Sequence, residues 1–333
     1  MDHSEVRKAL PENVSKVLLA ITSGNDLTKL EIKKRASLSM STVLSSVEAL
    51  LRRGLITMGE RRVERGGKPH AVINVHPDRR TYGISYKSGV LTAQAVDLRG
   101  EKRYALFRDV LTEDSSRDAV LSVVRSLSEQ TPPPEAIALA LNADDREEIA
   151  RSLEDAYGVP VLLTANTAAI GYLARWQGAI SPFAVIGLGG TVKCAVFDRI
   201  IRSIDMSDLP CTPIISREGS FRSVLSSRKV EYALRENRYD DYCLADGGAI
   251  REIRTQGEYA RALALTIGSL CRMTEKMLAP REILLFGDYL SEGFFERIRS
   301  LAPLGVPLRL VRAEREDFAR GAAICALIER VFS

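Results

Sequence analysis

Thr28-Lys-Leu-Glu-Ile-Lys-Lys-Arg-Ala36, then Ser37-Leu-Ser-Met-Ser-Thr-Val-Leu-Ser-Ser-Val-Glu-Ala-Leu-Leu-Arg-Arg-Gly-Leu-Ile56, then Arg65-Gly-Gly-Lys-Pro69 decide how the chain reads. Thr28 and Glu31 have capping-box spacing, which opens a helix with Leu30 and Ile32 inward and Lys29, Lys33 and Lys34 outward. A turn at Ala36-Ser37-Leu38 ends it. Ser39 is the N-cap of a further helix that sets Val43, Val47, Leu50 and Leu51 on one face. Ser41, Thr42, Ser45, Ser46 and Arg52 are left on the other. Upstream, Val14, Val17, Leu18 and Ile21 recur at helical spacing, and Gly24 supplies a stop. Downstream, Leu55-Ile56, a basic turn region and Ala71–Val75 read as a hairpin. Three helices and a basic hairpin in this order predict a winged helix-turn-helix.

Two short helices joined by a turn also describe an ordinary helical hairpin, and a winged helix can dock on protein. Charge favours DNA. Residues 1–80 hold 15 Lys and Arg against 9 Asp and Glu, a local +6, whereas the remainder holds 32 against 34, or −2. Such asymmetry is expected when one module meets phosphates and the other does not. Small hydroxylic side chains let the start of a helix sit deep in the major groove. Lys29, Ser39, Ser41, Thr42 and Ser45 are therefore the candidate contacts of the helices, and Arg61, Arg62, Arg65 and Lys68 those of the wing. Glycine at the wing tip lets the backbone approach DNA closely.

At 333 residues the chain calls for two or three domains. No apolar run approaches the ~18 residues of a membrane span, and the start lacks the order of a secretory signal, so a cytoplasmic protein is expected. Cys194, Cys211, Cys243, Cys271 and Cys325 are odd in number and widely spaced, which argues against a disulfide framework or a structural zinc site.

After Pro77-Asp-Arg-Arg80 the pattern alternates. Tyr82–Tyr86, Val90–Val96 and Lys102–Phe107 read as a three-stranded meander. A helix near 115–130, a strand Ala136–Leu141, a helix near 145–157, a strand Val159–Leu163 and a helix near 167–177 follow. The meander then starts again with Phe183–Gly190, Thr191–Phe197 and Ile200–Ile204. A helix near 257–279, a strand Glu282–Phe286 and helices near 291–300 and 315–331 complete the chain. The expected class is α/β: a winged helix-turn-helix followed by a duplicated, actin-like (ribonuclease-H-like) two-lobed domain. The expected boundaries are 1–77 for DNA binding, 78–180 for the first lobe, and 181–333 for the second lobe and dimerisation.

The chain resembles the ROK family of sugar-responsive repressors and sugar kinases, in its repressor branch. Leu38-Ser-Met-Ser-Thr-Val43, Gly54-Leu-Ile56, Gly66-Gly-Lys-Pro69, Val96-Asp-Leu-Arg-Gly100, Gly158-Val-Pro-Val161 before Asn166, and Ala319-Arg-Gly-Ala-Ala323 carry the resemblance. The departures bear on chemistry. The family's kinases have Glu-Asn-Asp where this chain has Ala165-Asn-Thr167, and a threonine is no general base at neutral pH. The aspartate of the first phosphate loop is Ser85 here. The second loop is partly kept as Gly187-Leu-Gly-Gly-Thr191, with Lys193 where a small residue leaves room for phosphates. The family's zinc cluster has no counterpart, since His3, His70 and His76 all lie in the first 80 residues.

The resemblance therefore implies a regulator, a repressor of carbohydrate-related genes without catalytic residues, metal or cofactor. Its kinase-like region would sense a sugar or sugar phosphate and form a homodimer or higher oligomer on an inverted-repeat operator. Asn166, Thr167, Gly189 and Gly190 are the effector candidates. Capping of the helix at Asn166, and tight packing at Gly187, Gly189 and Gly190, are the structural alternatives. A regulator whose kinase-like region serves only assembly or protein docking is a second reading, and an ATP-dependent sugar kinase a third.

Overall fold

The structure, a computed structural model, describes residues 10–62, 70–87, 89–110, 116–141, 143–209, 220–226, 228–231, 242–244, 250–253 and 258–332. The chain divides into two compact units, Met1–Ala169 with Arg315–Ser333, and Ile170–Glu314.

The first unit begins with three helices, α1 (Glu12–Thr22), α2 (Lys29–Ala36) and α3 (Met40–Arg52). Val17, Leu18, Ile21, Ile32, Val43 and Leu50 close a core between them. A small sheet of β1 (Leu27–Thr28), β2 (Ile56–Arg62) and β3 (His70–Val75), ordered β1-β3-β2, covers its end. Two inward and outward expectations are corrected. Leu30 is 51% exposed, because two residues along a helix turn the side chain about 200° away from Ile32. Ser46 is buried, because it lies three residues after Val43 and four before Leu50, on their face.

The rest of this unit is a five-stranded sheet. β4 (Arg80–Lys87), β5 (Val90–Asp97) and β6 (Lys102–Asp109) form the antiparallel meander. β7 (Ile137–Ala140) and β8 (Val161–Thr164) join in parallel after the crossover helices α4 (Ser116–Gln130) and α5 (Arg146–Tyr157). The strand order is β6-β5-β4-β7-β8.

After α6 (Asn166–Trp176), the second unit repeats the plan. β9 (Phe183–Leu188), β10 (Val192–Phe197) and β11 (Ile201–Asp205) are antiparallel. α7 (Phe221–Leu225), β12 (Tyr242–Leu244) and β13 (Ile250–Ile253) intervene, the last two as a separate two-stranded sheet. α8 (Glu258–Leu278) and α9 (Glu292–Leu301) then flank β14 (Glu282–Gly287), and β15 (Leu308–Leu310) ends the sheet. Its order is β11-β10-β9-β14-β15, the order of the first sheet. The repeated strand order expected from the sequence is therefore present in both units.

The last helix, α10 (Arg315–Ala326), which continues as a π-helical turn at Leu327–Val331, departs from the expected second lobe. It belongs to the first unit. The reason is close packing on β4 and α6. A Cβ added to Gly83 runs into the Ala319 carbonyl and the Ala323 amide, and one added to Gly321 runs into the Ala169 carbonyl. Thr81 Oγ1 donates to the Ala323 carbonyl at 2.8 Å, and Arg320 Nε to the Gly100 carbonyl at 3.0 Å. The Ala319-Arg-Gly-Ala-Ala323 run thus supplies the small residues that let this helix lie on the sheet.

Cys194, Cys271 and Cys325 are buried and outside any disulfide, and burial pushes the Cys194 and Cys271 thiols up to about 12. Among the described residues, no helix is long and apolar enough to cross a membrane.

Candidate nucleic-acid interface

α2 begins with the capping box read from the sequence. Thr28 Oγ1 accepts from the Glu31 amide at 3.3 Å, and Glu31 Oε2 accepts from the Thr28 amide at 2.7 Å. Ser37, at φ 53°, turns the chain left-handed, and Ser39 caps α3 by accepting from the Thr42 amide at 3.2 Å.

The hydroxyls at the start of α3 form one cluster. Ser39 Oγ lies 2.9 Å from Ser41 Oγ and 2.8 Å from Thr42 Oγ1, and Ser45 Oγ donates to the Thr42 carbonyl at 3.1 Å. Ser39, Ser41 and Ser45 are exposed and Thr42 is half-buried. The exposed cations Lys33, Lys34 and Arg35 lie in the last turn of α2, and Arg52 and Arg53 at the end of α3. Cations at a helix C-terminus are favoured by the carbonyl dipoles there. Lys29, the first residue of α2, is half-buried.

The hairpin follows with Ile56 opposite Val75 and Arg62 opposite His70, and a bulge between Met58 and Arg61. Arg61 and Arg62 occupy its distal end, at the backbone level. Arg65 and Lys68 lie outside the described residues.

Two arginines that the sequence reading missed tie this module to the rest of its unit. Arg99, in the β5–β6 turn, donates through Nη1 to the carbonyls of Thr22 at 3.1 Å and Gly24 at 2.6 Å, at the end of α1. Arg79 donates through Nε to the Gly54 carbonyl at 3.0 Å, just past α3, and pairs with Glu135, which is only 6% exposed. Ser15 Oγ also donates to the Phe332 carbonyl. Arg99 thereby satisfies the Thr22 carbonyl, which the end of α1 leaves open, and Arg79 a carbonyl two residues past α3. The sequence marks them only by position, one in a turn and one in the segment where the pattern changes.

The effector candidates lie in two units. In the first, Thr167 is buried and Asn166 Nδ2 donates to the Tyr86 carbonyl at 3.2 Å. Among the described residues Asn166 Oδ1 is buried without a partner, so it does not accept as a helix cap there. Ser85 is buried at 1% exposure. In the second unit, the Gly189 amide donates to the Thr191 carbonyl at 3.2 Å. Among the described residues, a Cβ at Gly190 meets nothing within 4 Å and one at Gly189 only Asp288 Oδ2 at 4.0 Å, so tight packing against them does not account for these two glycines. Among the described residues, no group of three or more His, Cys, Asp or Glu side chains could hold a metal ion.

No protein-family model matches the chain, and no curated protein matches it. Solved structures do. A ROK family transcriptional regulator, a homologue of the E. coli Mlc protein, is 15% identical with a TM-score of 0.71, covering 96% of this chain and 96% of its own. A ROK hexokinase from Thermus thermophilus is 18% identical with a TM-score of 0.59, over 75% of this chain and 99% of its own. A ROK family glucokinase from Streptomyces griseus, in complex with glucose and AMPPNP, is 17% identical with a TM-score of 0.56, over 74% of this chain and 99% of its own. At these identities the likeness is one of architecture: the chain has the α/β sugar-kinase-like fold of the ROK family, and it shares that fold with a ROK transcriptional regulator over nearly its whole length.

Proposed function

We propose that this protein is a ROK-type transcriptional regulator that binds double-stranded DNA through a winged helix at residues 1–77. The observation that carries the reading is the outward face of α3, where Ser41 and Ser45 are exposed near its start, with exposed Lys33, Lys34 and Arg35 in the last turn of α2 before it and exposed Arg52 and Arg53 at its far end. That combination suits a major groove between phosphate rows. Lys29 and the wing cations Arg61, Arg62, Arg65 and Lys68 add backbone contacts in this reading. The whole-chain likeness to a regulator supports it.

The kinase-like body, residues 78–333, is proposed to pair two copies on an inverted repeat and to bind a sugar or sugar phosphate without transferring a phosphoryl group. Hydroxyls stand at both positions, Ser85 and Thr167, where the resemblance implies carboxylates, and both are buried. Neither can accept a proton from a sugar or hold a metal as a carboxylate does. Asn166, Thr167, Gly189 and Gly190 are the proposed effector contacts, and the proposed location is the cytoplasm.

A gel-shift on DNA upstream of the gene, repeated with a panel of sugars and sugar phosphates, tests the proposal. Shifted DNA released by one compound supports a repressor with an effector. A shift indifferent to every compound leaves a regulator whose body serves assembly. Sugar-dependent ATP consumption by the same preparation overturns the non-catalytic reading.

A further inference from the structure

An α-helix turns 100° per residue, so Ser41, Leu44, Ser45, Glu48 and Arg52 form one stripe on the side of α3 opposite Val43, Val47 and Leu50. Ser41, Ser45, Glu48 and Arg52 are exposed, and Leu44 is 44% exposed. Ser39 and Thr42 are committed elsewhere, to the N-cap and the hydroxyl cluster.

Leu44 and Glu48 stand out on such a face. Leu44 is a large apolar side chain among hydroxyls, left 44% exposed. Glu48 is an anion among exposed cations, and among the described residues its side chain makes no ion pair or hydrogen bond. Against phosphates an unpaired carboxylate is repelled, unless a base donates a hydrogen to it. The major groove offers one partner for each: the C5-methyl of thymine for an apolar group, and the N4 amino group of cytosine for a carboxylate.

We infer that Leu44 and Glu48 are the base-reading side chains of this helix, Leu44 packing on a thymine methyl and Glu48 accepting from the N4 amino group of a cytosine. The inference rests on the DNA-binding reading above. Charge complementarity selects DNA over a protein partner. Exposed Lys33, Lys34 and Arg35 precede α3 and exposed Arg52 and Arg53 end it, the stripe between holds a single large apolar residue, and residues 1–80 carry a net +6. Ser41 and Ser45 leave room for the approach, and Arg52, at the far end of the stripe, faces the backbone.

The experiment is selection of bound duplexes from a randomised pool by the full-length protein, for wild type, Leu44→Ala and Glu48→Gln, followed by titration of the selected site. Both positions are exposed, so unchanged thermal midpoints are expected. In wild type, replacing one thymine of the half-site by deoxyuridine weakens binding about fourfold, the worth of one buried methyl, whereas Leu44→Ala does not sense the replacement. Glu48→Gln shifts one position from cytosine towards adenine, because an amide both donates and accepts. Identical selected motifs for all three proteins overturn the inference and leave the regulator reading standing. A wild type that enriches no sequence overturns both, and turns this face towards a protein partner.

Discussion

The N-terminal module and the kinase-like body use the same side chains in opposite surroundings. Ser39, Ser41 and Ser45 stand on the surface at the start of α3, whereas Ser85, Thr92 and Thr167 are 1%, 1% and 5% exposed. Ser85 and Thr92 lie opposite each other in neighbouring strands, with Ala140 on the other side of Ser85. A hydroxyl can be buried at modest cost once it finds an acceptor, but an unpaired carboxylate cannot. Hydroxyls in place of acids thus let the body bury these positions, while the module keeps its polar groups in water. The exposed hydroxyls of the module are the ones that the DNA-binding reading uses.

The glycines separate the two regions most sharply. Gly83→Ala in the body drives a methyl into backbone atoms of Ala319 and Ala323, which cannot swing aside. A loss of about 4 kcal/mol is expected in urea unfolding, above the usual range for overpacking because the obstacle is main chain. Gly24→Ala in the module meets mainly the tip of the Arg35 side chain, which can move. Less than about 1 kcal/mol is expected there. Equal losses would break the comparison.

The same acid placed in each region sharpens it further. Ser85→Asp puts a carboxylate at a site 1% exposed, and about 3 kcal/mol is expected to be lost at pH 7. Burial raises the folded pKa of such a group above its unfolded value near 4, so the unfolded state binds fewer protons between the two. Stability therefore falls as pH rises, by about 1.4 kcal/mol per unit across that window. Unfolding at pH 4, 5.5 and 7 measures the slope. Ser41→Asp, at an exposed site, is expected to change stability by less than about 0.5 kcal/mol and to weaken DNA binding severely.

Local signals explain what is legible in the sequence. The capping box at Thr28 and Glu31, the N-cap at Ser39 and the strand order of both meanders are written within a few residues, and each forms as read. The phase of a short helix is less secure. α2 has eight residues with only Ile32 buried, too few to fix the direction of Leu30. The placement of α10 is not local at all. It depends on Gly83 matching Ala319 and Ala323 more than 230 residues away, a fit of shapes that no spacing encodes. For the candidate site, the hydroxyls are legible by position, but their bonding to one another is not, nor are the arginines that anchor the module.

Arg79 tests whether the two regions act as one body. It joins the end of α3, through the Gly54 carbonyl, to buried Glu135 at the start of β7. Arg79→Ala takes the guanidinium away from that carboxylate, and a loss of about 2 kcal/mol is expected, less than for a fully buried pair because the arginine is 32% exposed. Adding Glu135→Gln should restore part of it, since the buried charge goes too. If the double variant is no more stable than Arg79→Ala, the link is one of packing rather than charge.

Ser39 carries the smallest effect. Its hydroxyl caps α3, accepting from the Thr42 amide at 3.2 Å, and is also held by Ser41 and Thr42. Ser39→Ala removes the cap, and about 1 kcal/mol is expected to be lost. A cap and a DNA contact predict different behaviour for Ser39→Asp. As a cap, aspartate matches serine and its charge favours the helix N-terminus, so stability returns to the wild-type value. As a phosphate contact, the same charge repels DNA, so binding falls below that of Ser39→Ala. If binding of Ser39→Asp instead recovers together with stability, Ser39 serves DNA only by holding α3 in shape, and the contacts lie further along the helix.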